Sequence, residues 1–122
     1  MKLSEIIEHA KGELLNPSVF KDHDIIGGCG ADLMSDVLTR AKPGGVMLTG
    51  LCNPQVIRTA EMADVHAIVF LRGKNPTPEM IELATQKSIP IVSTDMGMFE
   101  LCGRLYQAGL HSLESNWNGF DE

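Results

Sequence analysis

Between Val46 and Gly109 the chain alternates short apolar runs with helix starts, and this alternation limits the fold more tightly than any other feature of the sequence. Val46-Met47-Leu48-Thr49 reads as a strand. Asn53-Pro54 then supplies an N-cap and a first-turn proline for a helix carrying Val56, Ile57, Ala60 and Ala63. Ala67-Ile68-Val69-Phe70-Leu71 is apolar at every position, the pattern of a strand covered on both faces. Thr77-Pro78 repeats the capped start, ahead of Met80, Ile81 and Ala84. Ile89-Pro90-Ile91-Val92-Ser93 is a third strand, with Pro90 tolerated near its start or on an edge. Thr94 or Asp95 is the expected cap of a last helix, in which Met98, Leu101, Cys102 and Leu105 share the core-facing side and Gly109 marks the end. Three successive strand-helix units demand parallel strands joined by right-handed crossovers. The expected architecture is a single α/β domain, three-layered, with a mainly parallel sheet.

The first forty residues are less regular. Leu3, Ile6, Ile7 and Ala10 form one helical stripe, with Gly12 as its stop. Glu13-Leu14-Leu15 is a candidate short strand before the turn at Asn16-Pro17-Ser18. Ile25-Ile26 is an apolar pair ended by Gly27-Gly28. Asp32 to Ala41 has helical spacing at Leu33, Met34, Val37, Leu38 and Ala41, closed by Pro43-Gly44-Gly45.

Length and charge narrow the function classes. A chain of 122 residues is the size of one domain and buries roughly two-thirds of its unfolded surface, enough to fold without metals or disulfides. With 43% hydrophobic and 21% charged residues it is an ordinary globular composition, and disorder is excluded. The formal charge is −6, half of it in residues 111–122, so residues 1–110 read as the folded domain and the rest as an acidic, polar tail. That tail, with isolated Trp117 and Phe120, reads as a frayed end or a segment docked on its own body or on a partner. No basic run offers a footprint for nucleic acid or an anionic membrane. The longest apolar stretch is too short for a bilayer, and the acidic, amphipathic start is not a signal peptide. Cys29, Cys52 and Cys102, unevenly spaced, read as reduced thiols of a cytoplasmic protein.

One stretch carries a family resemblance. Asp22-His23-Asp24-Ile25-Ile26-Gly27-Gly28, followed by Ala31-Asp32-Leu33-Met34-Ser35-Asp36-Val37, resembles the DRTGG domain, named for an Asp-Arg, Thr-Gly-Gly signature. Later landmarks fall in order: Thr49, Asn53, Gly73, Ile89-Pro90-Ile91, Phe99-Glu100 and Gly103-Arg104-Leu105. The similarity spans roughly residues 2 to 110. His23 replaces the usual arginine and Ile26 the usual threonine, while Gly27 and Gly28 are kept. Domains of this kind stand beside CBS domains in regulatory pyrophosphatases and in some phosphotransacetylases, and a related α/β domain forms the N-terminal part of HPr kinase/phosphorylase. The resemblance implies a regulatory module, often dimeric, without activity of its own.

The residues carry no catalytic pattern. Nothing fits the phosphate-binding G-x-x-x-x-G-K-[ST] loop that an HPr-type kinase needs. Gly28-Cys29-Gly30 supplies two glycines of a dinucleotide fingerprint, but Leu33 holds the third position. Asp22-His23-Asp24 lacks the companion ligands of a metal-dependent pyrophosphatase, and the cysteines and histidines have no zinc spacing. No metal and no cofactor are expected. Ser35 between Asp32 and Asp36 is the one nucleophile-like grouping, and helix capping or a subunit contact is its plainer role.

Topology yields the candidate site. In an open parallel sheet, ligands sit beyond the carboxyl ends of the strands, where helix N-termini present free N–H groups. That edge receives Thr49, Gly50 and Asn53, then Arg72, Gly73 and Lys74, then Ser93 and Thr94. Caps and turns select the same residue types, but two of only ten basic residues fall here. Gly27, Gly28, Asp32, Met34, Ser35 and Asp36 are expected near a subunit interface. The reading is a cytoplasmic regulatory or ligand-binding module, a homodimer that binds a small anion such as an adenine nucleotide or acts on a protein partner in trans. The alternatives are a small phosphotransferase or hydrolase using Ser35, Asp32 and Asp36, and a pure protein-interaction subunit.

Overall fold

A computed structural model describes residues 1–114. The chain runs through α1 (Leu3–Ala10), β1 (Glu13–Leu14), a single 3-10 turn at Pro17–Val19, β2 (Gly28–Gly30), α2 (Met34–Arg40), β3 (Val46–Thr49), α3 (Pro54–Met62), β4 (Ala67–Phe70), α4 (Pro78–Gln86), β5 (Ile91–Ser93) and α5 (Met98–Gln107). The five strands lie in the order β1-β5-β4-β3-β2. β2 to β5 are parallel neighbours, and only β1, on the far edge, runs antiparallel to β5. This is the mainly parallel α/β sheet that the strand-helix alternation demands.

The caps act as the sequence predicts. Asn53 accepts the Val56 N–H, Thr77 accepts the Met80 N–H, and each is followed by its proline. Both faces of the sheet are covered. On one, Leu3, Ile6 and Ala10 of α1 and Leu101 and Leu105 of α5 pack on Leu48, Val69 and Val92. On the other, Val37, Val56, Ile57, Ala60 and Met80 of α2, α3 and α4 pack on Met47, Ile68, Phe70 and Ile91. Every residue of β3 and β4 is buried, which explains their uninterrupted apolar sequences. Asn16 is buried at the start of β5, where its side chain donates to the Ile89 carbonyl and accepts the Ile91 N–H, both at 2.9 Å.

Local detail refines the sequence reading. The strand preceding α2 is the glycine segment Gly28–Gly30, and the apolar pair before it is split, with Ile25 buried and Ile26 exposed. Glycine is suited there because the neighbours come close: a Cβ on Gly30 would stand 3.0 Å from Met98 Sδ, and one on Gly27 would stand 2.9 Å from the His111 carbonyl. α5 begins at Met98 rather than after Thr94 or Asp95, with Gly97 at its N-cap and no side-chain cap. The Thr94 hydroxyl instead donates to the Ala10 carbonyl at 2.6 Å, tying β5 to the end of α1. Cys102 is half-buried, packs against the core as expected and also lines a groove beside α5.

Leu110 to Glu114 lies along the outer edge of β2. Gly28 donates to the His111 carbonyl and accepts from the Leu113 N–H, both at 2.8 Å. Leu113 itself is buried among the α2 and α3 side chains, and Glu114 bridges to Ala41. Trp117 and Phe120 lie outside the described residues.

Candidate functional site

Thr49, Phe70 and Ser93 pair across the last row of the sheet, so the loops after β3, β4 and β5 leave from one edge. Several candidate polar groups there are committed to holding those loops. Asp32 Oδ1 accepts the Gly50 N–H at 2.7 Å and the Thr49 hydroxyl at 3.2 Å. Thr49 Oγ1 accepts the Leu51 N–H at 3.1 Å, and Asn53 caps α3. The Ser93 hydroxyl donates to the Lys74 carbonyl at 3.1 Å, and Thr94 Oγ1 accepts the Met96 N–H at 3.2 Å.

The two cations are free of such duties. Among the described residues the ion pairs are Lys2–Asp24 and Lys87–Glu61, and neither Arg72 nor Lys74 takes part. Arg72 has φ 57° and Gly73 φ 67°, two left-handed residues in succession. Their N–H groups donate to the Met96 and Thr94 carbonyls at 2.9 and 2.8 Å, which fixes the turn after β4 on the β5–α5 loop. From that turn the Arg72 guanidinium reaches back over Gly50, so close that a Cβ at position 50 would stand 2.6 Å from Nη1. Burial pushes the Cys52 thiol upward, and the charge of Lys74 pulls it back. The Arg72 guanidinium therefore lies over the Gly50–Asn53 loop that leads into α3, and the charge of Lys74 is felt on that loop.

The predicted cluster is thus divided. Thr49, Gly50, Asn53, Arg72 and Lys74 share one neighbourhood. Ser93 and Thr94, with Gly73 between the two groups, line a separate cavity of about 260 Å³ that also holds Lys11, Glu13 and Asp95. Asp32 was singled out for a contact surface, yet it braces the β3–α3 loop. Ser35 caps nothing; its carbonyl accepts the Thr39 hydroxyl, and both Ser35 and Asp36 are exposed on α2. Met34 packs partly against the α2–α3 side of the core. Gly27 and Gly28 face the chain's own 110–113 segment. Cys52 is the neighbour that sequence reasoning passed over, and only its place between Gly50 and Asn53 marked it.

Asp22, the first residue of the family-like stretch, has a structural task. Its carboxylate accepts the Ser4 N–H and the Ser4 hydroxyl, each at 2.9 Å, at the start of α1. Those hydrogen bonds hold its pKa below the ordinary carboxylate value. A polar pocket at the opposite end of the strands holds about 160 Å³ between His23, Glu61, Asp64, His66 and Lys87. Among the described residues no group of three or more His, Cys, Asp and Glu is arranged to hold a metal ion, and no helix is long and apolar enough to cross a membrane.

Fold and site together give an α/β domain with a mainly parallel sheet and two cations, Arg72 and Lys74, in the turn after β4. The same fold occurs in the crystal structure of the CBS and DRTGG domains of the regulatory region of Clostridium perfringens pyrophosphatase, complexed with its activator diadenosine tetraphosphate, with a TM-score of 0.68. The match covers 95% of this chain and 51% of that one at 17% identity, so this chain spans about half of that neighbour. The likeness shows a DRTGG-like fold. No protein-family model and no curated protein sequence matches the chain.

Proposed function

We propose that this domain is a regulatory module that binds a small anionic ligand, with adenine nucleotides as the leading class, between the Gly50–Asn53 and Arg72–Lys74 loops. The observation that carries this reading is the Arg72 guanidinium lying over Gly50 in the loop that leads into α3, with Lys74, another of the ten basic residues of an acidic chain, two residues further along the same turn. An anion there meets a guanidinium able to bind two oxygens, an ammonium, and helix N–H groups. The nucleotide class rests on the neighbour, whose regulatory region was crystallised with a nucleotide activator. The site binds without catalysing: Asp32, whose carboxylate lies beside Gly50 as Arg72 does, is held by Gly50 and Thr49. Such a module works as a homodimer and passes its ligand state to a partner protein in trans.

Titration calorimetry with AMP, ADP, ATP, diadenosine tetraphosphate and acyl phosphates tests the reading. Saturable heat with at least one of them is expected, weakened about 10- to 100-fold by Arg72→Met, the loss of one charge-assisted hydrogen-bonding group. No heat with any member of the panel removes the ligand reading. Turnover of a bound phosphoester would favour the enzyme alternative.

A further inference from the structure

Two histidines far apart in sequence meet at the end of the strands opposite the Arg72 loop. The rings of His23 and His66 stand 4.9 Å apart, centre to centre, tilted by 40°. Both backbones are pinned. The His66 N–H donates to the Gly45 carbonyl at 2.7 Å, and the His23 carbonyl accepts the Leu3 N–H at 3.0 Å. His66 Nδ1 is shut off from solvent and has no hydrogen-bond partner among the described residues, although a buried ring nitrogen left unpaired is destabilising. The two histidines border the cavity of about 160 Å³ together with Glu61, Asp64, Lys87 and Ser88. The field there favours a cation. α3 ends at Met62 and α4 at Gln86, so the lining stretches 64–66 and 87–89 follow the negative ends of both helices. Lys87 is already paired with Glu61 at 3.2 Å, and Asp64 has no ion pair among the described residues.

We infer that His23 and His66 bind one first-row divalent cation between them, Zn²⁺ foremost, with water filling its other positions. Geometry selects the ion. Two imidazoles that each give one ring nitrogen to a common metal at about 2.0–2.1 Å hold their ring centres about 4.5–5.2 Å apart, for angles at the metal of about 90–110°. The observed 4.9 Å falls inside that range. The ion also gives His66 Nδ1 the partner it lacks, since a bare cation reaches a nitrogen that water does not. Nitrogen ligands select transition cations over Mg²⁺ and Ca²⁺, which take oxygen. An anion would instead meet Asp64, Glu61 and two negative helix ends, with the lysine already paired. Among the described residues no set of three His, Cys, Asp and Glu side chains forms, so the site is open and holds its ion less tightly than an enclosed four-ligand one. The ion clips the segment before β2 to the connection between α3 and β4. This inference is independent of the anion reading, whose loops lie at the other end of the strands.

Calorimetric titration of the full chain with zinc chloride tests this, with magnesium chloride as the control. Saturable heat at one Zn²⁺ per chain is expected, and none with Mg²⁺. H23Q, at an exposed position, should keep its thermal melt and weaken Zn²⁺ binding at least about 10-fold. H66Q should weaken it as much. H9Q/H111Q, which removes the other two histidines, and C52S/C102S, which removes the partly exposed thiols, should leave the affinity unchanged. Zn²⁺ should raise the melting temperature of the unaltered protein and not that of H23Q. If H66Q does not fold, H23Q decides alone. No saturable heat with Zn²⁺, equal affinity in H23Q, or binding lost in H9Q/H111Q or C52S/C102S overturns the site. Nucleotide heat should be the same in H23Q as in the unaltered protein, so either reading fails without the other.

Discussion

Arg72 carries local backbone strain at a residue outside the core. A non-glycine side chain at φ 57° is disfavoured, costing about 1 kcal/mol or more, and the turn holds it there through the Met96 and Thr94 carbonyls. Arg72→Gly is therefore expected to melt at the same or a higher temperature while losing nucleotide heat in calorimetry. A large drop in melting temperature would show instead that the guanidinium holds the loop. Gly50→Ala tests the other half of the contact. Its backbone has no positive φ, so the added methyl should displace Arg72 Nη1 and weaken binding about 10-fold without unfolding the domain; unchanged affinity would place the guanidinium elsewhere in solution. The two family-unlike residues have their own surroundings. The His23 ring stands 4.9 Å from that of His66, and the Ile26 side chain lies 3.4 Å from where a Cβ on Gly44 would be.

Among the elements, β2 departs most from what its sequence suggests. Its glycines look like a loop, since a glycine-rich strand has no side chains to pack and weak register. They form a strand because Val46, Met47 and Leu48 pair with them on one side and the 110–113 segment closes on the other. Gly45 belongs to the same joint, where a Cβ would collide with the Leu113 side chain and stand 2.6 Å from the Gly27 carbonyl. Gly45→Ala should cost about 1–3 kcal/mol by overpacking, and Leu113→Ala about 2–5 kcal/mol by leaving a cavity. Urea denaturation of the two variants and their combination should show a double variant less destabilised than the sum, since Leu113→Ala removes part of what the new methyl strikes. Strict additivity would mean that Leu113 does not press on Gly45.

The folded molecule sets a titration that no short segment contains. Burial, with the negative charges of Glu114 and Asp36 adding to it, pushes the Cys29 thiol up to about 11 from an ordinary 9.0. Between those values the unfolded chain has lost the proton and the folded chain retains it. Stability present below pH 9 should therefore fall as pH rises toward 11. Urea midpoints followed against pH should show this decline in the wild-type protein and a shallower one in Cys29→Ala; equal slopes would exclude the thiol. Asp22 works in the opposite direction, and its lowered pKa contributes stability that is lost as pH falls below its ordinary 3.8. The sequence by itself determined the alternation of strands and helices, the caps at Asn53 and Thr77, and the double-sided burial of β3 and β4, because each is encoded within about one turn or one strand of chain. Tertiary structure alone decided that Asp32 braces Gly50, that Thr94 binds the end of α1 instead of capping α5, that Ser93 and Thr94 line a cavity with Lys11 and Asp95, and that Phe99 and Tyr106 stay in solvent. Those outcomes depend on groups 17 to 84 residues apart meeting at one edge or failing to meet, and hydrogen-bond and packing partners at that range leave no period or spacing in the sequence.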